Sequence, residues 1–224
     1  AARGSYEFGR PWGIPVRYHD YKSLSEKSTP DLFEFHLSYK DMDERLEDHF
    51  DQALDQDFVV HSPELFAGDQ LLDLCAQDED DRRHSVAELQ RVIDLTRKLK
   101  AYFPKTERPI IVTNVGGFSL DRHLDRDERA ALEKQFLVSW GELDMDGVEI
   151  IPQTMPPFPW HFGGQRYHNL FVDKDNIVSL CRDNDIRVCL DISHSKLACN
   201  YEHGSFMEFI GGVGPYTAHM HLAD

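Results

Sequence analysis

The chain has 224 residues, with 40 acidic against 24 basic side chains for a formal charge of −16, and 41% of it is hydrophobic. A chain of this size and composition buries enough apolar surface to offset its ordering entropy, which excludes a disordered acidic tail. The charge opposes the counterion release behind non-specific nucleic-acid binding, and no apolar run approaches the ~20 residues that cross a bilayer, so neither nucleic acid nor membrane is expected as a partner.

Along the chain, short runs of β type alternate with stretches of helical period. Strands are predicted at 14–19 (IPVRYH), 32–38 (LFEFHLS), 58–61 (FVVH), 110–114 (IIVTN), 148–153 (VEIIPQ), 186–191 (IRVCLD) and 217–222 (TAHMHL). Residues 22–30 (KSLSEKSTP) read as a polar connection. Met42, Leu46, Phe50 and Leu54 recur every four residues and predict an amphipathic helix between the second and third strands. A helix after the third strand carries Val86, Leu89, Ile93 and Leu99 on one side, with Ser85 and Glu88 at capping-box spacing. The acidic run 78–81 is read as capping or preceding that helix. Further helices are expected at 129–140, with Leu132, Phe136 and Trp140 inward, and at 175–181 and 205–210.

Strands alternating with helices, with neither G-x-G-x-x-G after the first strand nor G-x-x-x-x-G-K-[ST], favour an α/β fold of the (β/α)8 TIM-barrel type over a nucleotide-binding doubly wound sheet. In such barrels chemistry gathers where strands end. Those ends hold Arg17 and His19, His36 and Ser38, His61, Thr113 and Asn114, Gln153, Asp191 followed by His194, and His219 with His221. Alternation puts His219 and His221 on one face, and Ala218, Met220 and Leu222 on the other, where they are expected to pack under helices. His194 is expected on the loop after Asp191. Carboxylate, amide oxygen and imidazole together suit a divalent ion such as Mn²⁺, Mg²⁺, Co²⁺ or Zn²⁺ that would polarise a substrate carbonyl. Cys75, Cys181, Cys189 and Cys199 form no C-x-x-C pair and read as buried reduced thiols. The start, AARGSYEFGRPWG, has no charged-then-apolar signal layout, so a cytoplasmic protein is expected. Gly116–117, Gly163–164 and Gly211–212 are the three places where backbone amides could cradle a phosphate.

In order and separation, FVVHSPE, RVCLDISHS and GPYTAHMHLAD resemble the xylose-isomerase-like TIM-barrel superfamily of sugar-phosphate isomerases/epimerases and family-2 apurinic endonucleases. The resemblance covers roughly residues 30–224 and implies one to three divalent ions at the strand C-termini. By position it makes Asp191 and His221 metal ligands, with Gln153 as a third. His61 matches the histidine of the H-x-P turn, and His194 falls beside the metal or substrate; both are candidates for proton transfer. His36 and His219 are candidate substrate contacts. The stretch PQTMPPFPWHFGGQRYHN, with Phe158, Trp160 and His161, would stack on sugar faces or serve as a packing lid or subunit contact.

Two departures from the family bear on activity. Its fifth-strand glutamate is replaced by Gln153, which can offer oxygen to a metal but cannot take a proton. Glu149 shares the parity of Gln153 but lies roughly 13 Å lower. A closed barrel needs about 250 residues, so the single domain expected over 1–224 is one strand and one helix short, truncated before its last βα unit and the glutamate that unit supplies. It would then be a fragment of a longer chain with an open seam. The opening GRPWGIPVRYHDY resembles the tail of sialic-acid-synthase-like proteins that carry such a barrel. Three readings follow. The first is a metal-dependent sugar or sugar-phosphate isomerase/epimerase, existing as a homo-oligomer or fused to a synthase domain. The second is an auxiliary sugar-binding barrel in sialic-acid-like (nonulosonate) biosynthesis. The third, an apurinic endonuclease, ranks last, because the fourth strand offers Thr113, Asn114 and Gly116 where that family uses a histidine.

Overall fold

The computed structural model describes residues 9–158 and 166–222. Seven parallel strands form its centre: β1 (Gly13–Val16), β2 (Leu32–His36), β3 (Asp57–His61), β4 (Ile110–Thr113), β5 (Glu149–Pro152), β6 (Val188–Asp191) and β7 (Thr217–His221). The first five pair in chain order, β6 pairs with β7, and a bridge between Gln153 and Cys189 joins the two groups. Six α-helices are described: α1 (Tyr21–Ser25), α2 (Glu79–Leu99), α3 (Arg126–Glu142), α4 (Lys174–Asn184), α5 (Ile192–Tyr201) and α6 (Phe206–Val213). None is long and apolar enough to cross a membrane.

Two apolar layers fix the geometry. Outward residues such as Phe33, Phe35, Val60, Ile111, Ile150 and Leu190 join the main core with Leu89, Ile93, Leu99, Phe136 and Ile177 from the helices. Inward residues Val59, Val112, Ile151 and Cys189 form a separate apolar floor within the barrel. Because side chains alternate, the inward residue two positions further along each strand stands one layer above that floor. These are His61, Asn114, Gln153 and Asp191. In β2, Leu32 packs on the floor and Glu34 and His36 rise above it. In β7, the register against β6 shifts after Val188, so His219 faces Cys189 and His221 faces Asp191. The barrel thus delivers one polar set to its C-terminal end.

Several expectations are corrected. Met42, Leu46, Phe50 and Leu54 do not make an α-helix; two short 3-10 turns, Asp41–Asp43 and Leu46–Asp48, replace it, and neither has a side-chain cap. Crowded acids at 41, 43, 44, 47, 48 and 51 oppose a helix there, while Leu46 and Phe50 still reach the core, Phe50 against Tyr18, Tyr21 and Phe35. Ser85 does not start α2. Asp78 caps it by accepting from the amides of Asp80 and Asp81, so the acidic run is the helix start, favoured by the helix dipole. Ser85 lies buried and its hydroxyl accepts from the amide of Asp73. The capping box belongs instead to Asp125 and Glu128 of α3. Met220 and Leu222 do not pack under helices: they are 47% and 78% exposed. Among the described residues the outer edges of β1 and β7 pair with no strand. All four cysteines are free and buried, as expected.

Candidate functional site

Glu34 is the hub. Its carboxylate is 7% exposed and comes from the middle of an aromatic strand, LFEFH. His219 Nε2 lies 2.7 Å from Oε2, His221 Nε2 lies 2.9 Å from Oε1, and His36 Nε2 lies 2.8 Å from Oε1. Burial alone would push this carboxyl up, but the close imidazoles of His219, His221 and His36 outweigh it and hold it well below the usual carboxylate range.

A second carboxylate, Asp191, closes β6 and caps α5. Its Oδ1 accepts from the His194 amide and the Ser193 hydroxyl, both at 2.9 Å. Its Oδ2 accepts from Gln153 Nε2 at 3.0 Å and lies 3.5 Å from His221 Nδ1. Burial opposes its ionisation, yet the His221 and His194 contacts hold it below its ordinary value. His221 therefore stands between two buried carboxylates. Burial would depress it, but Asp191, Cys189 and Glu34 push it up to about 12. An imidazolium fills the role of a cation between the two acids.

His61 shows the same demand from the other side. Its Nδ1 lies 3.0 Å from the Ser62 carbonyl and its Nε2 lies 3.0 Å from Gln153 Oε1. Burial, and then the neighbouring His36, lower its pKa, so the ring is neutral and carries one N–H for two oxygens. One lone pair is left facing an oxygen. Nor does Glu34 Oε1, despite its two short contacts, meet the angular requirement of a hydrogen bond. Ligating atoms of Glu34, His61 and His221 all lie within 4.8 Å of one another, and Gln153 Oε1 adjoins them. Mixed carboxylate and imidazole donors of this kind suit a divalent ion, and the residues present fit one.

The remaining candidates fall as follows. His36 stacks on His61 at 4.6 Å between ring centroids and stays partly open to solvent, and His61 stacks on His221 at 5.7 Å. His194 is not on a loop: α5 begins directly after Asp191, and His194 sits in its first turn with Nδ1 3.0 Å from the Thr154 carbonyl and 3.4 Å from Gln153 Nε2. The candidates Trp160 and His161 lie outside the described residues. Glu149 is held at the start of β5 by Arg187, with two contacts of 2.6 Å, at the opposite end from the site. In the Gly116–117 turn the Gly117 amide donates to Asp73 Oδ1 and is engaged within the chain. Gly211–212 lie inside α6, and Gly163–164 are outside the described residues.

Glu34 and Glu64 were not among the residues singled out from the sequence. A cavity of about 370 Å³ opens at the strand C-termini, lined by Arg17, His36, Tyr39, His61 and Glu64 among others, a volume in the range of small-molecule sites. A larger recess of about 510 Å³ lies at the strand N-termini among Arg10, Asp31, Asp57 and Lys105, remote from this cluster.

Parallel strands alternating with helices, with their polar residues gathered at one end, define a protein of the TIM-barrel class whose site lies at the strand C-termini. The family described as "Xylose isomerase-like TIM barrel" matches residues 25–224, and the chain belongs to that family. Among curated proteins none matches in sequence. Solved structures share the fold. A D-tagatose 3-epimerase-like protein is 17% identical with a TM-score of 0.62, covering 96% of this chain and 76% of its own. D-psicose 3-epimerase, solved in the presence of D-fructose, is 16% identical with a TM-score of 0.60, covering 95% and 72%. Endonuclease IV from Thermus thermophilus is 15% identical with a TM-score of 0.58, covering 96% and 77%.

Proposed function

We propose that this chain is a metal-dependent isomerase or epimerase acting on a sugar or sugar phosphate. The observation that carries the reading is the convergence of Glu34, His61, His221, Gln153 and Asp191 beside a cavity of monosaccharide scale. A divalent ion held by Glu34, His61 and His221, with Gln153 Oε1 and Asp191 beside it, would supply Lewis-acid polarisation of a substrate carbonyl. The chain's own residues do the rest. His36 and Arg17 line the cavity as donors to substrate oxygens. Asp191 orients Gln153 and His221, and His194 is anchored by Thr154 and the α5 cap. The neighbouring structures that are ketose 3-epimerases support a ketose as substrate, and the resemblance of the opening segment to sialic-acid-synthase-like tails supports including N-acyl amino sugars.

Incubation with Mn²⁺ and a panel of ketoses, aldoses and N-acyl amino sugars in D₂O tests the reading. Deuterium at the carbon next to the carbonyl is expected; no exchange with metal demonstrably bound would overturn it. A second reading, a sugar-binding barrel without turnover, is favoured by one observation. Gln153, where the family has a proton-moving glutamate, has both polar atoms engaged, Oε1 with His61 and Nε2 with Asp191. Saturable sugar binding without exchange would favour it. The endonuclease reading stays last, since Asn114 at the end of β4 is committed to Glu64.

A further inference from the structure

We propose that Glu64 is the catalytic residue that moves the substrate proton, a role that rests on the isomerase/epimerase reading above. Enolisation beside a carbonyl needs a group that gains and loses a proton near neutral pH. Gln153 cannot. Glu34 has both oxygens within 3 Å of imidazole nitrogens. Asp191 has Oδ1 bound to Ser193 and His194, and Oδ2 bound to Gln153. These two carboxylates hold the cluster together. Glu64 differs in lining the cavity itself, together with Arg17, His36 and His61.

The chain also fixes Glu64 in place. The Ser62 amide donates to the Val112 carbonyl, which extends the strand pairing one residue past β3. The Leu72 amide donates to the Glu64 carbonyl at 2.9 Å, so the turn after His61 is tied at both ends. Asn114 Nδ2 donates to Glu64 Oε1, and Asn114 is 3% exposed at the end of β4, two positions above the floor residue Val112. Asn114 Oδ1 is buried without a hydrogen-bond partner among the described residues. Through its Nδ2 donation Asn114 acts as a positioning residue for the Glu64 carboxylate.

In the step assigned to it, the Glu64 carboxylate takes the proton from the carbon beside the carbonyl, and the C–H electron pair becomes the double bond of an enediolate. The negative charge passes to the former carbonyl oxygen, for which His36 and Arg17 are the donors in the cavity lining. Return of the proton from the Glu64 carboxylic acid to the former carbonyl carbon, with the hydroxyl proton transferred between the two oxygens, gives the isomer. Return to the original carbon regenerates the substrate, and in D₂O leaves deuterium there.

The test uses the whole chain loaded with Mn²⁺, as wild type, Glu64→Gln and Glu64→Asp. Deuterium exchange into D-fructose and D-tagatose is followed by NMR, and binding of the unreactive polyol D-glucitol and of Mn²⁺ by calorimetry. Glu64→Gln is expected to slow exchange at least ~100-fold with unchanged Mn²⁺ stoichiometry and D-glucitol affinity, and Glu64→Asp to restore part of the rate. Exchange near the wild-type rate in Glu64→Gln overturns the assignment. Loss of Mn²⁺ or D-glucitol binding in that variant overturns it as well, because Glu64 would then be holding the site. Absence of exchange in wild type with Mn²⁺ bound overturns the isomerase/epimerase reading and this inference together.

Discussion

Replacing Glu34 by glutamine keeps its shape and removes its charge, and the structure sets the size of the effect. The carboxylate is 7% exposed and sits within 3 Å of three imidazoles, one of which, His221, is held protonated between it and Asp191. Removing one member of a buried ion pair costs about 3–5 kcal/mol, because the partner charge stays buried. Asp191 remains on the far side of His221 at 3.5 Å and recovers part of that loss. Glu34→Gln is therefore expected to lower the unfolding free energy of the metal-free chain by about 2–3 kcal/mol in urea titration with chelator present. Calorimetric Mn²⁺ titration should show a far larger loss of affinity than the loss of stability explains, since a neutral amide replaces an anionic ligand. Stability within 1 kcal/mol of wild type together with wild-type Mn²⁺ affinity would refute Glu34 as the hub.

Other expected outcomes are independent of that one. Asp191→Ala and His221→Ala should each lose bound metal by elemental analysis; stoichiometric metal in the His221 variant removes it from the ligand set, and in the Asp191 variant removes its orienting role. Asp73 is pushed up to about 6 by burial, against the hydrogen bonds it accepts from the Gly117 and Cys75 amides. A raised carboxyl binds more protons folded than unfolded, so its contribution is full below pH ~4 and lost as pH rises through about 6. Asp73→Asn should thus gain on wild type between these limits by up to about 3 kcal/mol in urea melts, and a pH-independent difference would count against this. Gly116 has φ of +79°, and a Cβ there would lie 2.2 Å from Asp73 Oδ1 and 2.5 Å from its Cα. Gly116→Ala is accordingly expected to cost at least about 2 kcal/mol, visible as a lowered melting temperature.

The strands were legible because each alternates between a helix-covered face and the barrel interior, and their ends fall within a few residues of the alternation in the sequence. The strand-end positions that the structure brings together, His61, Gln153, Asp191 and His221, were legible for the same reason. Glu34 is less legible because it lies one layer below its strand's end, between Phe33 and Phe35. Its parity with His36, a lone charge at an inward position of an aromatic strand, is the signal that marks it. Glu64 sits past the strand end, where the pairing of Asn114 with it ties the loop to the end of the barrel. The Met42–Leu54 period misleads because residues four apart can also reach a core from separate single turns. Segment α5 is not legible because no linker separates it from β6: Asp191 ends the strand and caps the helix.

The most direct test of the metal-bearing cluster is anomalous scattering at the manganese edge from crystals grown with Mn²⁺. The expected result is a peak among Glu34, His61 and His221 at the C-terminal end of the strands. A peak only elsewhere, or none at full Mn²⁺ loading, would contradict the site described for this barrel.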